Sequence, residues 1–489
     1  MPISGMMAGV APVSRLGGHS LASLLPDVRT LPGPVYSALG DAITALVLDG
    51  RIATETRLPS ERELAAALRI SRATVTAAYD ELRARGYLAS RTGSGSFVTV
   101  PAGSRPRPSL SRWSTVGTDR ADVIDLSCAA LAAPPGVIEK AAAAAAAAIT
   151  PHARDDGYDP AGLLALRAAV AARFDARGVP TSADQVLITN GALHGWDLLL
   201  RLLVGPGDRV LTELPTYPGA LDAVRGNGAR VIPVPMAADG GWQVELLQAT
   251  LRQTAPRLAY LTPDFHNPTG ALVDEASRRD VLRAARTTGT TVVIDESFVD
   301  LGFCEPERPA AAIDPSVISI GSLSKPVWGG LRIGWLRAST DLVHRLAALR
   351  ATIDLAGPVL DQLVAVELFP ELDQIAAARL DELRPQRDAL VSALASTLPQ
   401  WRVALPQGGL SLWAELDAPL STPLTLLAAQ AGVLVVPGSR FGVDGTLERF
   451  LRLPFSLPAA RLDEAVRRLA SVWSQIDRTS LATRQLVVA

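Results

Sequence analysis

Apolar residues recur at helical spacing through Pro34–Asp49, where Val35, Leu39, Ile43, Leu46 and Val47 share one face, and this predicts a helix. The run Arg57-Leu58-Pro59-Ser60-Glu61-Arg62-Glu63 follows. Ser60 and Glu63 have the spacing of a capping box, so a second helix starts there and continues through Leu68. A three-residue turn, Arg69-Ile70-Ser71, leads to a third helix, capped by Ser71, running to Arg85 and stopped by Gly86. On that helix Val75, Tyr79 and Leu82 face a core, while Arg72, Ala73 and Thr76 point elsewhere. Tyr87–Val100 reads as strand, glycine-rich turn, strand. Beyond about residue 123 the pattern changes. Helical stretches alternate with the apolar runs QVLIT, RVLTE, LAYLT, TVVIDE and VISIG, which predicts an α/β domain with a largely parallel sheet. The alanine run Ala141–Ala148 is read as helix.

A chain of 489 residues exceeds one hydrophobic core. The expected organisation is multidomain: a loosely ordered arm over 1–27, rich in small residues; a mostly α unit over 28–100; a Pro/Ser/Arg linker over 101–122; and the α/β domain over 123–489. A hydrophobic content of 48% with 20% charged residues fits a soluble globular protein. The formal net charge of -2 means that any nucleic-acid-binding surface is local. Cys128 and Cys304 build no disulfide framework, and the five histidines show no metal-ligand spacing. With no membrane-length apolar run and no signal-peptide pattern, a cytoplasmic protein without metal or membrane contact is expected.

Two short helices joined by a tight turn form a helix-turn-helix, whose second helix presents its N-terminal end to a major groove; the following hairpin is a wing able to reach a phosphate backbone. Over some 65 residues from Tyr36, the string LPSERELAAALRISRATVTAAYDELRARGYLASRTGSGSFV resembles the winged helix-turn-helix of GntR-type regulators. The resemblance implies that Arg62, Arg72 and Thr74 contact double-stranded DNA and that the Gly95 region is the wing tip. Arg57 and Arg91 are candidates for phosphates. Nine arginines against seven acids over 28–100 make the isolated unit a weak binder, so useful affinity requires two copies on one operator.

Only two lysines occur, Lys140 and Lys325, among 47 basic residues. Arginine replaces lysine where charge is the only need, but a guanidinium stays protonated and cannot form a Schiff base. Lys325 follows the apolar run VISIG in Ser322-Leu323-Ser324-Lys325, with Arg332 seven residues on in a glycine-rich stretch. That arrangement suits a phosphorylated aldehyde: the amine condenses with the carbonyl, and Ser322 and Arg332 hold the phosphate. Asp295 ends TVVIDE, where a buried carboxylate requires a cation such as a pyridinium nitrogen. Asn267, in Asn267-Pro268-Thr269-Gly270, can donate to a phenolate oxygen. Gly191 and Ala192 sit at a strand-to-helix turn, where backbone N–H groups meet a phosphate, and Tyr217 can stack on a pyridine ring. Each motif alone also serves structural ends: a helix cap, an ion pair, a turn.

Together, in chain order, these motifs resemble fold-type I pyridoxal-phosphate enzymes, the aspartate aminotransferase superfamily, over roughly 123–489. The resemblance implies pyridoxal 5'-phosphate on Lys325. It also implies that Tyr158 reaches a neighbouring subunit's cofactor phosphate and that Arg452 grips the carboxylate of an amino compound. A GntR-like winged helix fused to such a domain resembles the MocR subfamily, whose members sense pyridoxal phosphate, sometimes with an amino acid or amine, and pair as head-to-tail homodimers. Two departures stand out. Phe298 replaces the tyrosine usual three residues after the aspartate, and Ala192 stands where many relatives carry Ser or Thr. Both tilt the expectation from catalyst to sensor. A working aminotransferase with a DNA-binding appendage, and a regulator with an empty vestigial pocket, are the alternatives.

Overall fold

The structure is a computed structural model that describes residues 16–25, 27–29, 33–48, 52, 56–91, 95–99, 122–237, 240–443 and 445–476. The expected linker, apart from Asp122, lies outside the described residues. Two compact units divide the chain: one holds the residues up to Val123 with Thr422–Val433 and the segment from Arg468, the other Ile124–Ser421 and Leu434–Arg467. The α/β domain expected as continuous over 123–489 thus yields two late segments to the first unit, where Arg468 Nη1 donates to the carbonyls of Asp122 (2.9 Å) and Ala431 (3.4 Å).

The first unit opens with helices α1 (Gly18–Leu24), α2 (Val35–Leu48), α3 (Glu61–Leu68) and α4 (Arg72–Ala84), then strands β1 (Leu88–Arg91) and β2 (Gly95–Val98). The capping box at α3 forms in both directions: Glu63 N donates to Ser60 Oγ (3.2 Å) and Ser60 N to Glu63 Oε2 (2.9 Å). Ser71 caps α4 through Thr74 N (3.0 Å). The turn between them places Arg69 at φ 55°, in the left-handed region. Tyr79, buried on α4, donates its hydroxyl to Pro59 O (2.9 Å) and ties α4 to the start of α3. β1 and β2 pair antiparallel, Leu88 opposite Val98.

The expected arm over 1–27 needs correction from residue 18 onward. Leu21, Leu25 and Val28 are buried in the same apolar core as Leu39, Leu64 and Val75. The small residues that suggested an arm serve close packing instead: a Cβ on Gly18 would lie 2.7 Å from Glu63 O.

The second unit runs through β3 (Ile124–Asp125), α5 (Val137–Ala148), α6 (Leu164–Ala176), β4 (Val186–Thr189), α7 (Ala192–Leu203), β5 (Arg209–Leu214), α8 (Pro218–Gly226), β6 (Arg230–Pro235) and α9 (Val244–Thr254). It continues with β7 (Leu258–Leu261), α10 (Glu275–Thr288), β8 (Thr291–Asp295), α11 (Ala310–Ile313), β9 (Ile318–Ser322), β10 (Gly334–Arg337), α12 (Thr340–Arg350), α13 (Val359–Leu368) and α14 (Leu372–Thr397). All five apolar runs form strands. With β6 and β10 they make one seven-stranded sheet in the order β4-β10-β9-β8-β7-β5-β6, parallel except for β10, which is antiparallel to both neighbours. A second sheet, formed by β11 (Arg402–Val403), β12 (Ser411–Glu415), β14 (Val436–Pro437) and β15 (Phe450–Pro454), is antiparallel.

This topology positions the site. Strands β4, β5, β7, β8 and β9 end on the same edge of the large sheet, the edge where parallel α/β sheets bind ligands. Gly334, at the start of β10, lies opposite both Ser322 and Thr189, so the turn before it, with Arg332, falls between the ends of β9 and β4.

Truncating Leu21 to Ala is expected to destabilise the first unit by about 2–5 kcal/mol in denaturant unfolding. A stability equal to wild type would mean that this segment is an arm after all.

Candidate functional site

In the first unit, α4 presents Arg72 with its side chain 72% exposed, its Nη2 3.6 Å from Glu61. Arg62, in the first turn of α3, is also exposed. Thr74 sits on the first turn of α4 with its hydroxyl 2.8 Å from Ser71 Oγ. Arg57 lies against the wing: a Cβ built on Gly95, itself at φ 101°, would fall 2.9 Å from Arg57 Nε. Arg83 Nη2 donates to Ser96 Oγ (3.2 Å) and fastens the same hairpin to α4. Arg91 ends β1, and its side chain lies outside the described residues. Exposed guanidinium groups at the N-terminal end of a second helix, beside a wing, match the geometry of groove and phosphate contact.

In the second unit, the end of β8 carries Asp295. Its Oδ2 accepts the hydroxyl of Tyr260 from neighbouring β7 at 2.5 Å, and its Oδ1 accepts Ser297 N at 2.9 Å. Asp295 is half-buried. Burial raises its pKa, against the two hydrogen bonds and the nearby Lys325 charge, which lower it. Burial, and then the Asp295 charge, hold the Tyr260 hydroxyl well above its ordinary range, so it stays a donor.

Lys325 lies one turn beyond β9, half-buried, with Nζ donating to Ala129 O (2.8 Å) and lying 5.3 Å from the Phe298 ring centre. Arg452, fully buried on β15 between Trp413 and Val436, donates from Nη2 to Ser127 O and lies 5.1 Å over the Phe441 ring. The amine and the guanidinium therefore converge on carbonyls two residues apart, at most roughly 7 Å of chain. Arg379 holds that segment to the Lys325 turn, donating to Ala132 O, to Val327 O (2.8 Å) and to Pro326 O (3.3 Å). By contrast Lys140 is an exposed ion pair with Glu371.

Around the end of β4, Gly191 caps α7 at φ 94°, and a Cβ there would lie 2.7 Å from Arg332 Nη2. A second close approach faces it, since a Cβ on Gly334 would fall 2.5 Å from the Gly191 carbonyl carbon. Arg332, at φ 53° and exposed, donates to Asn190 O (2.7 Å) and Gly329 O (3.2 Å). Ala192 is the first residue of α7, so the N-terminal end of this helix lies beside the Arg332 guanidinium. Ser322 is buried, with its hydroxyl 3.0 Å from Ile333 O and 2.7 Å from Ser324 Oγ. Asn267 is 8% exposed, and its Oδ1 has no hydrogen-bond partner among the described residues. Tyr217 caps α8 at the end of β5, its ring against Gly219. The exception is Tyr158. It is 64% exposed, and its backbone N donates to Asp156 Oδ1 (3.0 Å).

Reasoning from sequence missed Tyr260, Asn190 and Arg379. Tyr260 carried a signal: a phenol inside a buried strand needs a partner, and the neighbouring strand ends in Asp295. Arg379 carried none, because it lies on an ordinary amphipathic helix.

Comparison with known proteins places these features. The family model "Aminotransferase class I and II" matches residues 121–469, and "Bacterial regulatory proteins, gntR family" matches 35–98. The chain is 30% identical over 454 residues to an uncharacterized HTH-type transcriptional regulator, YisV, of Bacillus subtilis, covering 86% of this chain and 92% of that one. It is 33% identical over 330 residues to the probable rhizopine catabolism regulatory protein MocR of Rhizobium meliloti, covering 62% and 65%. The structure is similar to that of Pyrococcus horikoshii kynurenine aminotransferase in complex with PMP, with a TM-score of 0.68 and 26% identity over 73% of this chain and 92% of that one. The chain belongs to the aminotransferase class I and II family and carries an N-terminal GntR helix-turn-helix domain, the combination of the MocR subfamily of regulators.

The raised pKa of Asp295 sets a pH dependence. A carboxyl that titrates higher when folded leaves stability unchanged below the ordinary carboxylate range. It costs increasingly as pH rises from that range through the folded value. Asp295→Asn in the cofactor-free chain is therefore expected to gain more stability over wild type at pH 7 than at pH 4, measured by thermal unfolding. An equal gain at both would mean that burial does not govern this group.

Proposed function

We propose that this chain is a DNA-binding transcriptional regulator whose second unit holds pyridoxal 5'-phosphate on Lys325 and makes operator binding depend on it. The observation that carries the reading is one chain with an exposed arginine-bearing recognition helix and a separate cleft, in which the only half-buried lysine of two turns toward a strand-end carboxylate. When bound there, the cofactor supplies an aldehyde carbon for the Lys325 amine and an electron-withdrawing ring. Asp295, backed by Tyr260, holds a proton on the ring nitrogen. Asn267 donates to the phenolate oxygen, and Tyr217 stacks on the ring. Arg332, Ser322 and the Gly191–Ala192 turn at the start of α7 take the phosphate. Arg452 anchors the carboxylate of an amino acid, or its place is taken by another amino compound, as co-effector. The regulator works in the cytoplasm as a head-to-tail homodimer in which Tyr158 reaches the other subunit's phosphate; its high exposure in the single chain agrees with that role. Ligand binding selects one arrangement of the dimer, which sets the distance between the two winged helices and so the operator bound.

A second reading, a working aminotransferase, draws on the convergence of Lys325 and Arg452 on Ser127 and Ala129, a spacing that fits an amino acid. Phe298 speaks for the sensor. Its ring lies at the Lys325 amine where a tyrosine hydroxyl would otherwise tune the phenolate.

Adding pyridoxal phosphate to the purified protein is expected to produce a visible absorbance band that Lys325→Ala lacks. No band, and identical spectra for the two proteins, would reject the reading. Arg72→Ala is expected to weaken operator binding about tenfold or more without altering unfolding, and unchanged binding contradicts the docking. With a panel of amino and keto acids, no sustained turnover is expected. Rates of about 1 s⁻¹ or faster would favour the enzyme.

A further inference from the structure

Arg350 is fully buried at the end of α12, and a buried guanidinium is retained only where its donors are used. Its Nε donates to Asp354 Oδ1 (2.9 Å) and its Nη2 to Asp354 Oδ2 (3.3 Å). Its Nη1 donates to Pro160 O (3.2 Å) and to Ile188 O. One side chain thus clamps three separate segments: the loop before α6, the end of β4 and the loop after α12.

Asp354 passes the constraint on. Its Oδ2 accepts Asn190 Nδ2 (2.9 Å). Asn190 N donates to His194 Nδ1 (3.0 Å), so that imidazole is neutral with its proton on Nε2, which lies 3.7 Å from Asp354 Oδ2. Asn190 O accepts Arg332 Nη2 (2.7 Å). Gly357 closes over the pair, since a Cβ there would lie 3.3 Å from both Arg350 Nη2 and Asn190 Oδ1. The backbone N, the backbone O and the side-chain Nδ2 of Asn190 are therefore held. The next residue, Gly191, is the N-cap of α7. The two anion-binding elements at this end of the cleft, the Arg332 fork and the start of α7, both depend on where Asn190 sits.

We propose that Arg350 and Asp354 are positioning residues for the phosphate end of the cleft, acting through Asn190 on Arg332 and the α7 N-terminus; this rests on the cofactor reading above. Neither side chain is assigned any contact with the ligand. Their effect falls on a ligand that carries a phosphate and spares the same aldehyde without one.

The test titrates the cofactor-free full-length protein with pyridoxal phosphate and, separately, with pyridoxal, following the lysine-linked absorbance. Asp354→Asn is expected to weaken pyridoxal phosphate by about tenfold and pyridoxal by less than about twofold, because a charge-assisted link to the phosphate cradle is lost. Arg350→Lys, which keeps the charge and loses the planar fork, is expected to show the same split. Equal losses for both aldehydes would assign the pair to general stability and overturn the proposal. No loss for either would also overturn it. If Asp354→Asn fails to fold, Asn190→Ala cuts the same link while sparing the buried ion pair and is held to the same split. A wild-type protein that gives no absorbance change with either aldehyde fails at the earlier step, the cofactor reading, and that failure is seen without any variant.

Discussion

Asp295 and Lys325 constrain everything else in the second unit. They end neighbouring parallel strands, or lie one turn beyond, so their charges meet at the carboxyl edge of the sheet in a place where burial penalises the carboxylate. Tyr260 and the Ser297 amide relieve part of that penalty, and Ala129 O takes the amine. In the proposed reading, Asp295 would meet a cationic ring nitrogen on one side and Lys325 an electrophile on the other. The surrounding parts follow from the same edge: the start of α7 and Arg332 offer an anion site, and Arg452 offers a second, deeper positive charge.

That arrangement explains why the fold suits both catalysis and sensing, and which residues separate the two. An enzyme needs its lysine freed for proton transfer many times per second, and a phenolate donor helps by stabilising the charge on the cofactor. A sensor needs only occupancy. Phe298 supplies an apolar ring at 5.3 Å from the amine and no donor, and in the proposed reading Ala192 would offer a phosphate a backbone amide without a hydroxyl. Both changes soften the chemistry while leaving the grip.

Much of this was legible in the chain because it is local. The capping box Ser60–Glu63, the Ser71 cap and the apolar runs ending in Thr189, Asp295 and Ser322 depend on neighbours within a few residues, and they form as read. The scarcity of lysine pointed to Lys325 before any fold was known. Contacts made by strand order were not legible. Tyr260 meets Asp295 because β7 lies beside β8, and Arg452 meets Ser127 across 325 positions. The Arg350–Asp354–Asn190 relay joins segments more than 150 residues apart. Residues 18–28 misled for the opposite reason. Their small side chains look like a loose arm, yet smallness at Gly18 is what lets Leu21 reach the core.

The central claim is that occupancy of the cleft governs how the chain grips DNA. A footprint on the region upstream of the protein's own gene, taken with and without pyridoxal phosphate, tests it most directly. The account predicts that the cofactor changes the extent or spacing of the protected sites for the wild-type chain and leaves the Lys325→Ala footprint untouched. Identical protection in all four lanes would contradict it.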